Sequence, residues 1–534
     1  MESKITRILR TAAVVLAAAS ASACNGEEPG SESVALRLMQ TTLSFGNAAS
    51  SQNIAYKASG RPYIDGDCSW ASCEVSSMES GGGVITVSVM KNEEFVQRTA
   101  TFTVKLVLTG ESAVFTVSQQ PGDMVDAGLA TQEPGIVSND ATAFLAGFGM
   151  GYNLGNHFDS HDRGMICDYN GDGVEEWWDG GTPSAATYKT LYSRGFHSIR
   201  IPVTWSKHMG PAPDYAIDPA FLDLVAQNVL WARDAGFRVI VNMHHDDASS
   251  WDKDGNKVFQ NWLDVESAAA DGAKKAEISD RYAKVWRQIA ERFRDEGDYL
   301  MLECFNEVND GGWGWSRSFR SDPTAQTSIL NEWLQLFVDT VRSTGGGNAT
   351  RWLGVSGYCA NPAFVMDYIE LPYDSVPGRL AVAIHDYDPS SYTIGDGDYP
   401  QWGHTAKTGP SEDEQTYIAT VKALYDKFIV NNIPVYAGEA GCKNKSGEIP
   451  IAFKKYYLEY TWRAFTAYGM PLFLWDGGTE SVQGDAHGFM SHNTGDYINS
   501  VTRDYVEAIY RAVYTPKSDD YSLKTIYNNA PRLD

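Results

Sequence analysis

The N-terminal part of the chain alternates apolar and polar residues with a period of two. Three segments around Ile85, Phe102 and Phe115 carry β-branched or aromatic residues at every second position, with Thr, Ser or Lys between them. This alternation is typical of half-buried antiparallel strands. Glycines at 81–83 and 110 fall between the segments, where tight turns are required. The pattern predicts a small all-β sandwich over residues 36–121.

Beyond residue 144 the pattern changes to short apolar runs separated by amphipathic helices. One helix is expected to begin at Asp218-Pro219, because a capping residue followed by proline is a helix-start signal. Eight runs have the length and composition of buried strands: 148–154, 198–202, 238–243, 299–305, 352–356, 380–384, 434–438 and 472–475. Eight strands alternating with helices predict an α/β fold, a closed (β/α)8 TIM barrel. A doubly wound open sheet is the alternative.

The chain therefore has five predicted segments, of which the first is a signal peptide. Basic residues, an apolar run and small residues precede Cys24, as in secretory signals. A cysteine at this point resembles a bacterial lipoprotein signal, which implies lipid on Cys24 and anchoring in the outer membrane facing the exterior. Cleavage without lipidation and a periplasm-facing anchor are the alternatives. The segments are a signal peptide 1–24, a linker 25–35, an immunoglobulin-like sandwich 36–121, a linker 122–143 and a barrel 144–534.

Composition argues against a nucleic-acid partner and is compatible with a sugar ligand. The chain has 43 Lys and Arg against 68 Asp and Glu, and a net charge of −25 repels phosphate backbones, so we expect no nucleic-acid partner. Its 15 Trp offer flat apolar faces of the kind on which sugar rings lie. The cysteines have no zinc or redox spacing, although Cys68 and Cys73 are close enough in sequence to pair. We expect a monomer.

Polar residues follow nearly every predicted barrel strand, at the edge where active sites of such barrels lie. Glu307 follows the fourth strand and Glu439 ends the seventh, so the two face each other across the barrel mouth. Glycosidic cleavage needs two carboxyl groups, one to protonate the leaving oxygen and one to attack the anomeric carbon. We interpret Glu307 as the acid/base and Glu439 as the nucleophile of a retaining enzyme, about 5–5.5 Å apart.

The other strand-end residues fit the same chemistry. Asn306 is placed to donate to the sugar 2-hydroxyl, and Arg200 is expected to hold Glu439 ionised. Tyr387 is expected to hydrogen-bond the nucleophile, and His385 to orient it. Asn153 is a further candidate. The adjacent His244 and His245 are also candidates, and we interpret them as a hydrogen-bonded cluster in preference to a metal site. Trp475 is the candidate for the floor on which the ring under attack lies.

Seven motifs in strand order resemble those of glycoside hydrolase family 5: GYNLGN, GFHSIRIPVTW, VNMHHD, ECFNEVND, AIHDYDP, VYAGEAG and FLWDGG. The resemblance covers residues 144–513 and implies a double displacement with retention. It also implies eight active-site positions: Arg200, His244, Asn306, Glu307, His385, Tyr387, Glu439 and Trp475. Val308 and Ala440 depart from the family's usual proline and aromatic residue, which affects the expected shape of the subsites. In the first domain, RTATFTVKL and AVFTVSQQPG resemble a BACON domain, for which we favour a spacer role over glycan binding.

The substrate is predicted from two further segments. NLGN with the later WWDGGTP resembles the subfamily that acts on β-1,4-glucans, including xyloglucan. Trp313 and Trp315, in the insertion GGWGWS, are candidates for aglycone subsites in an open cleft, with a packing role as the alternative. We expect an endo-β-1,4-glucanase that acts on plant cell-wall β-glucan, most specifically xyloglucan or mixed-linkage glucan. An endo-β-1,4-mannanase and a non-catalytic glycan-binding surface lipoprotein are the alternatives.

One acidic segment has the spacing of a calcium loop. DYNGDGVEEWWD places four oxygen-bearing side chains at EF-hand-like positions: Asp168, Asn170, Asp172 and Asp179. The last position is Asp where EF-hands have Glu, and the flanking sequence is not helical. An ordinary acidic loop is therefore favoured, and no other cofactor is expected.

Overall fold

The computed structural model describes residues 36–533, apart from residues 80, 93–96, 108, 123–126, 255, 396–398 and 484–485 and the side chains of 76–79. The predicted signal peptide, Cys24 and the first linker lie outside the described residues. The chain divides into two compact units between residues 123 and 124. Among the described helices, none has both the length and the apolar character of a membrane span.

The first unit has eight strands: β1 (Arg37–Leu38), β2 (Thr42–Phe45), β3 (Ser50–Lys57), β4 (Tyr63–Asp65), β5 (Ala71–Glu79), β6 (Gly82–Val89), β7 (Arg98–Lys105) and β8 (Ser112–Gln119). They form two four-stranded sheets, ordered β1-β3-β6-β5 and β2-β8-β7-β4. Ile85, Phe102 and Phe115 belong to one shared apolar core, which explains the period of two in the sequence. Cys68 and Cys73 are free thiols. The BACON-like assignment stays a prediction.

The second unit is a closed barrel of eight parallel strands, so the predicted (β/α)8 fold is confirmed. All eight apolar runs supply barrel strands, while β12 and β13 form a separate hairpin. The strands are β9 (Met150–Leu154), β10 (Phe196–Ile201), β11 (Arg238–Asn242), β12 (Ser249–Trp251), β13 (Lys257–Gln260), β14 (Leu300–Glu303), β15 (Leu353–Ser356), β16 (Leu380–Asp386), β17 (Val435–Ala440) and β18 (Leu472–Asp476).

The described helices are α1 (Asp140–Leu145), α2 (Ala185–Ser193), α3 (Pro219–Ala235), α4 (Val265–Ala270), α5 (Gly272–Arg292), α6 (Arg317–Ser321), α7 (Pro323–Ser343), α8 (Pro362–Tyr368), α9 (Ser390–Thr393), α10 (Glu414–Lys427), α11 (Glu448–Ala467), α12 (Ser500–Tyr514) and α13 (Leu523–Asn528). The predicted start of α3 is confirmed, since Asp218 caps it and Pro219 is its first residue. Gly236 ends α3 at a φ of 108°, which favours glycine.

The register of the barrel strands sets the level of each functional side chain. Arg200 on β10 pairs with Asn153 on β9, which in turn pairs with Trp475 on β18. A shift in register between Ile384 and His385 places His385 opposite Glu439 on the next strand. Residues paired in neighbouring parallel strands lie side by side, so these five side chains meet at the carboxyl end of the barrel.

Part of the predicted second linker, 122–143, packs against the barrel. Ala130 is fully buried and its carbonyl accepts a hydrogen bond of 2.8 Å from the Tyr460 hydroxyl. Glu133 accepts two hydrogen bonds from the Arg463 guanidinium, at 2.8 and 2.9 Å, and both side chains are almost fully enclosed. These contacts bind the segment to α11. The exact domain boundaries stay a prediction.

Candidate active site

The polar residues that follow the barrel strands line a cleft of about 1030 Å³, here called the main cleft. Glu307 and Glu439 both lie in its wall. One oxygen of each carboxyl group and one nitrogen of His385 lie within 4.8 Å of one another. That spacing suits the pair in a retaining enzyme, at about 5–5.5 Å, and is shorter than the roughly 6.5–9.5 Å of inverting enzymes.

Glu439 is held by two donors from different strands. Arg200 Nη1 donates to its Oε1 at 2.8 Å, and the Tyr387 hydroxyl donates to its Oε2 at 3.1 Å. Burial raises the pKa of Glu439, and His385 and Arg200 act against that rise. A guanidinium in direct contact favours the ionised form, which is the form a nucleophile needs.

Glu307 has different surroundings. His385 Nδ1 lies 2.7 Å from its Oε1, and burial lowers the pKa of His385 to about 4, so the imidazole is neutral at neutral pH. Burial also raises the pKa of Glu307 to about 7, with Arg200 acting weakly in the opposite direction. Direct contact with Arg200 thus opposes the rise in pKa at Glu439, whereas Glu307 lacks such a contact, a difference that suits one acid and one nucleophile.

Arg200 is fully buried and connects the site residues. Besides Glu439, its guanidinium donates to Asn153 Oδ1 at 3.1 Å and to Asn306 Oδ1 at 2.8 Å. Asn153 Nδ2 in turn donates to the carbonyl of Gly438 at 2.8 Å, next to Glu439. Because Arg200 occupies the oxygen of Asn306, the amide NH2 group of Asn306 is left as the donor for a substrate hydroxyl.

Glu303 is a site residue that the sequence reasoning missed. It accepts from Arg200 Nε and Nη2 at 3.0 and 2.8 Å, from the Tyr436 hydroxyl at 2.6 Å and from Asn242 Nδ2 at 3.2 Å. The only signal was a carboxylate at the end of an apolar run, directly before Cys304. Glu303 fixes the position of Arg200 and balances its charge.

The two adjacent histidines have separate environments. His244 stacks on Trp475 with ring centroids 5.6 Å apart and planes 3° apart, and its Nδ1 accepts from Asn242 Nδ2 at 3.1 Å. Burial and the nearby His245 lower the pKa of His244, so the ring is neutral and its Nε2 can donate into the cleft. His245 lines the cleft, with Nε2 3.8 Å from Asp159. The ligand-type atoms of Asp159, His244 and His245 lie within 4.8 Å of one another, but His244 is engaged in the hydrogen-bonded cluster predicted for it.

The predicted aglycone tryptophans lie in the cleft. Trp313 is 54% exposed and Trp315 is 78% exposed, and both line the main cleft. Neither is packed into the core, so the packing alternative is wrong for this pair. The two departures from the family pattern, Val308 and Ala440, are buried and line neither this cleft nor the pocket beside it in the described residues.

The four calcium candidates are not brought together as one ligand set. Asp179 is buried between His157 and His492, whose Nδ1 atoms lie 3.0 and 2.6 Å from its Oδ2. The other three side chains accept hydrogen bonds from backbone amides of their own loop: Asp168, Asn170 and Asp172. The interpretation of this segment as an ordinary acidic loop stays a prediction.

Comparison with known proteins adds independent information. The family model described as cellulase (glycosyl hydrolase family 5) matches residues 159–481. Endoglucanase A of Paenibacillus barcinonensis is 31% identical over 386 residues, which cover 68% of this chain and 88% of the relative. The xyloglucan-specific endo-β-1,4-glucanase of Bacteroides ovatus is 29% identical over 488 residues, which cover 87% of this chain and 90% of the relative. A solved Bacteroidetes-affiliated GH5 cellulase linked with a polysaccharide utilization locus is 36% identical, with a TM-score of 0.68, and the match covers 74% of this chain and 98% of that one.

Replacing Glu303 by Gln tests its positioning role. We expect kcat/KM to fall on the order of 100-fold, because Arg200 loses its counter-charge and a small displacement of reacting groups has an effect of that size. Tyr436→Phe is the matched control, since it removes one hydrogen bond to Glu303 but no contact of Arg200, and we expect a smaller loss. Steady-state kinetics with melting temperatures check this result. Equal kinetics for Glu303→Gln and the parent enzyme would contradict it.

The raised pKa of Glu307 predicts the alkaline limb of the pH profile. Glu307 must be protonated to act as an acid, so kcat/KM on a cello-oligosaccharide is full at lower pH and falls as pH rises through about 7. A dinitrophenyl cellobioside needs no proton on its leaving group and is expected to lack this limb. The measurement is kcat/KM for both substrates across pH 5–9. An identical alkaline limb for the two substrates would assign that limb to a group other than Glu307.

Proposed function

This chain belongs to glycoside hydrolase family 5 and is a glycoside hydrolase, and from that premise we propose that it is a retaining endo-β-1,4-glucanase. The observation that carries the mechanism is the pair Glu307 and Glu439, which have oxygens within 4.8 Å of each other and lie just after β14 and on β17, three strands apart in the barrel. Their unlike surroundings support the assignment of one acid and one nucleophile.

In the first step an oxygen of Glu439 attacks the anomeric carbon while Glu307 gives its proton to the glycosidic oxygen. The glycosidic bond breaks, and a covalent glycosyl ester forms on Glu439. In the second step Glu307, now a carboxylate, takes a proton from water as the water oxygen attacks the same carbon, and Glu439 is released. Two inversions give net retention, and Glu307 ends protonated again.

The hydrogen bonds around the pair support each step. Arg200 and Tyr387 hold Glu439 for attack and stabilise it again as a leaving carboxylate. Asn306 has its amide NH2 group available for the 2-hydroxyl of the ring under attack, a contact that strengthens in the transition state. Trp475, fixed by stacking on His244, provides the floor for that ring.

The proposed substrate is plant cell-wall β-glucan, with xyloglucan or mixed-linkage glucan as the specific polymer. The similarity to the xyloglucan-specific enzyme of Bacteroides ovatus supports this choice because it extends over 87% of the chain. Trp313 and Trp315 stand exposed along the cleft beyond Glu307, as aglycone subsites of an enzyme that cuts within a polymer.

We also propose that the protein is anchored by lipid at Cys24 in the outer membrane and faces the exterior. The motif of basic, apolar and small residues before Cys24 supports this. In a Gram-negative host, the parent chain is expected in the outer-membrane fraction and Cys24→Ala in the soluble fraction. Equal fractionation of the two would reject the anchor.

Azide rescue tests the two carboxyl roles separately. Glu307→Ala is expected to lose about 10²–10⁴-fold in kcat on cello-oligosaccharides, and Glu439→Ala is expected to lose turnover altogether. With an aryl cellobioside, azide attacks Glu439→Ala directly and gives the α-glycosyl azide after one inversion. In Glu307→Ala, azide attacks the glycosyl-enzyme and gives the β-glycosyl azide.

NMR of the azide products and reducing-end release on four polymers complete this test. The polymers are xyloglucan, mixed-linkage β-glucan, carboxymethylcellulose and glucomannan, with Glu439→Ala as the inactive control. Exchanged anomers would reject the role assignment. Cleavage of glucomannan alone would reject the assignment to xyloglucan or mixed-linkage glucan, and binding without cleavage of any polymer would favour a glycan-binding role.

A further inference from the structure

His492, in the loop after β18, is a buried histidine that the proposed mechanism does not use. It is only 3% exposed, and its ring lies against Gly478, where φ is 66° and an added Cβ would lie 3.0 Å from Nδ1. An added Cβ on Gly181 would lie 2.8 Å from the Cβ of His492. Tyr152 on β9 meets the ring at 79°, with centroids 6.2 Å apart. Packing therefore fixes the orientation of this imidazole.

A carboxyl group lies at each nitrogen of the His492 ring. Nδ1 lies 2.6 Å from Oδ2 of Asp179, in the loop after β9, and Nε2 lies 3.9 Å from Oδ1 of Asp476, at the end of β18. Both carboxyl groups are fully buried, and Nε2 has no hydrogen-bond partner among the described residues. A neutral ring would turn the lone pair of one nitrogen toward a carboxylate, whereas an imidazolium presents an N–H group to each.

Asp179 is shared by two histidines that differ in charge. Nδ1 of His157 lies 3.0 Å from the Oδ2 atom that His492 also contacts. Burial lowers the pKa of His157, so this ring is neutral at neutral pH. Burial acts to raise the pKa of Asp179, but the hydrogen bonds from both histidines lower it below its ordinary value. Asp179 is therefore a carboxylate that needs a positive partner.

Asp476 has the surroundings of a carboxylate. Burial raises its pKa, but His492 and backbone amides act against that rise. Its two oxygens accept four hydrogen bonds of 2.7–3.1 Å, from the Tyr152 hydroxyl and the backbone N–H groups of Gly478, Phe489 and Met490. Four donors suit the form that only accepts.

The charged groups that face His492 come from both loops. Burial acts to lower the pKa of His492, but Asp179 and Asp476 raise it above its ordinary value, and Asp159 in the loop after β9 adds to that rise. His157 lies beyond Asp179 and is neutral, and Tyr152 is a phenol whose pKa burial raises well above its ordinary value. The geometry and the charges both favour an imidazolium between two carboxylates.

This bridge lies directly behind Trp475, the residue before Asp476. The carbonyl of Asp476 accepts a hydrogen bond of 3.0 Å from the Gly155 N–H group, and an added Cβ on Gly155 would lie 2.8 Å from Cζ2 of Trp475. The Asp179 N–H group donates to the carbonyl of Asn156 at 3.0 Å. The backbone on which the Trp475 ring rests is therefore tied to Asp179 and Asp476, the two partners of His492.

We propose that His492 is a positioning residue, an imidazolium that holds the loop after β9 against Asp476 and so fixes the ring of Trp475. The inference rests on the proposed glucanase function, in which Trp475 is the floor for the ring under attack. His492 itself touches no reacting atom. Without its charge, two buried carboxylates would face each other across a neutral side chain, and their repulsion would displace the segment that carries Trp475.

His492→Gln tests this role at pH 6 with a dinitrophenyl cellobioside, a substrate that needs no proton from Glu307. We expect kcat/KM to fall roughly tenfold, within the ~100-fold that a displacement of 1 Å costs. His492→Lys keeps the positive charge and is expected to recover most of the loss. In a Trp475→Ala background, His492→Gln is expected to cost no more than about a further twofold, because the two residues act as one unit.

Three kinetic results would overturn the proposal. They are an unchanged kcat/KM in His492→Gln, the same tenfold loss in the Trp475→Ala background, and no recovery in a His492→Lys protein that melts like the parent enzyme. The second result separates a positioning role from a merely structural one, since a structural defect would add to the loss caused by Trp475→Ala.

Melting temperatures across pH 6–9 test the charge without turnover. Because the pKa of His492 is raised, the stabilisation by its charge is fully present below about pH 6.5 and is lost as pH rises from there through the pKa of the folded state. The difference in Tm between the parent protein and His492→Gln is therefore expected to shrink as pH rises. A difference that stays constant over this range would overturn the imidazolium.

His157→Gln is the matched control, because His157 contacts the same carboxylate through a neutral ring. Its difference in Tm is expected to stay constant above about pH 6.5, where this histidine is neutral in both the folded and the unfolded chain. A parent protein that cuts no glucan while His492→Gln keeps the expected pH dependence would reject the proposed function and leave the imidazolium standing. An active enzyme with a constant difference would reject the role of His492 alone.

Discussion

A buried guanidinium holds the catalytic end of the barrel together. Arg200 has no contact with solvent, yet it donates to the carboxylates of Glu303 and Glu439 and to the amide oxygens of Asn153 and Asn306. Removing such a charge from water costs several kcal/mol, which is offset only when the geometry of its partners is good. Since the partners come from β9, β14 and β17, the network is complete only in a barrel closed in the correct register. Fold and site therefore depend on the same contacts.

The same guanidinium makes the two catalytic carboxyl groups unequal. It touches Glu439 directly and acts on Glu307 only through space, where the near partner is the neutral ring of His385. Two carboxyl groups this close titrate as a coupled pair, and in identical surroundings neither would have a fixed role. Burial raises the pKa of Glu307 to about 7, while Arg200 and His385 oppose the rise at Glu439, which favours the proton on Glu307. A double displacement needs that distribution before substrate arrives.

The features that could be predicted from the sequence have local signals. Parallel strands buried on both faces read as apolar runs, so all eight barrel strands were visible, and Glu307 and Glu439 stood out at the ends of two of them. Glu303 also lies at the end of an apolar run, but its role could not be predicted, because the sequence of a run does not say which side chains point into the barrel. The register shift beside His385 was equally hidden. The packing of the loop after β14 on the β12–β13 hairpin could not be predicted at all, since Trp251 lies in a polar segment and meets Gly311 only through tertiary packing.

The reacting groups lie on the barrel and the more distant substrate contacts lie on loops, so membership of the family predicts the reaction better than the substrate. Every group that touches a reacting atom in the proposed mechanism lies on a barrel strand or within a few residues of its end, where the closed sheet dictates position. The departures Val308 and Ala440 are buried and do not line the cleft. Shape beyond the reacting ring is set by the loops after β9, β11 and β14, which contact one another through His161 and Phe259 and through Gly311 and Trp251. Loops of this kind change without disturbing the strands. Relatives at about 30% identity therefore predict the reaction of this chain better than they predict its substrate.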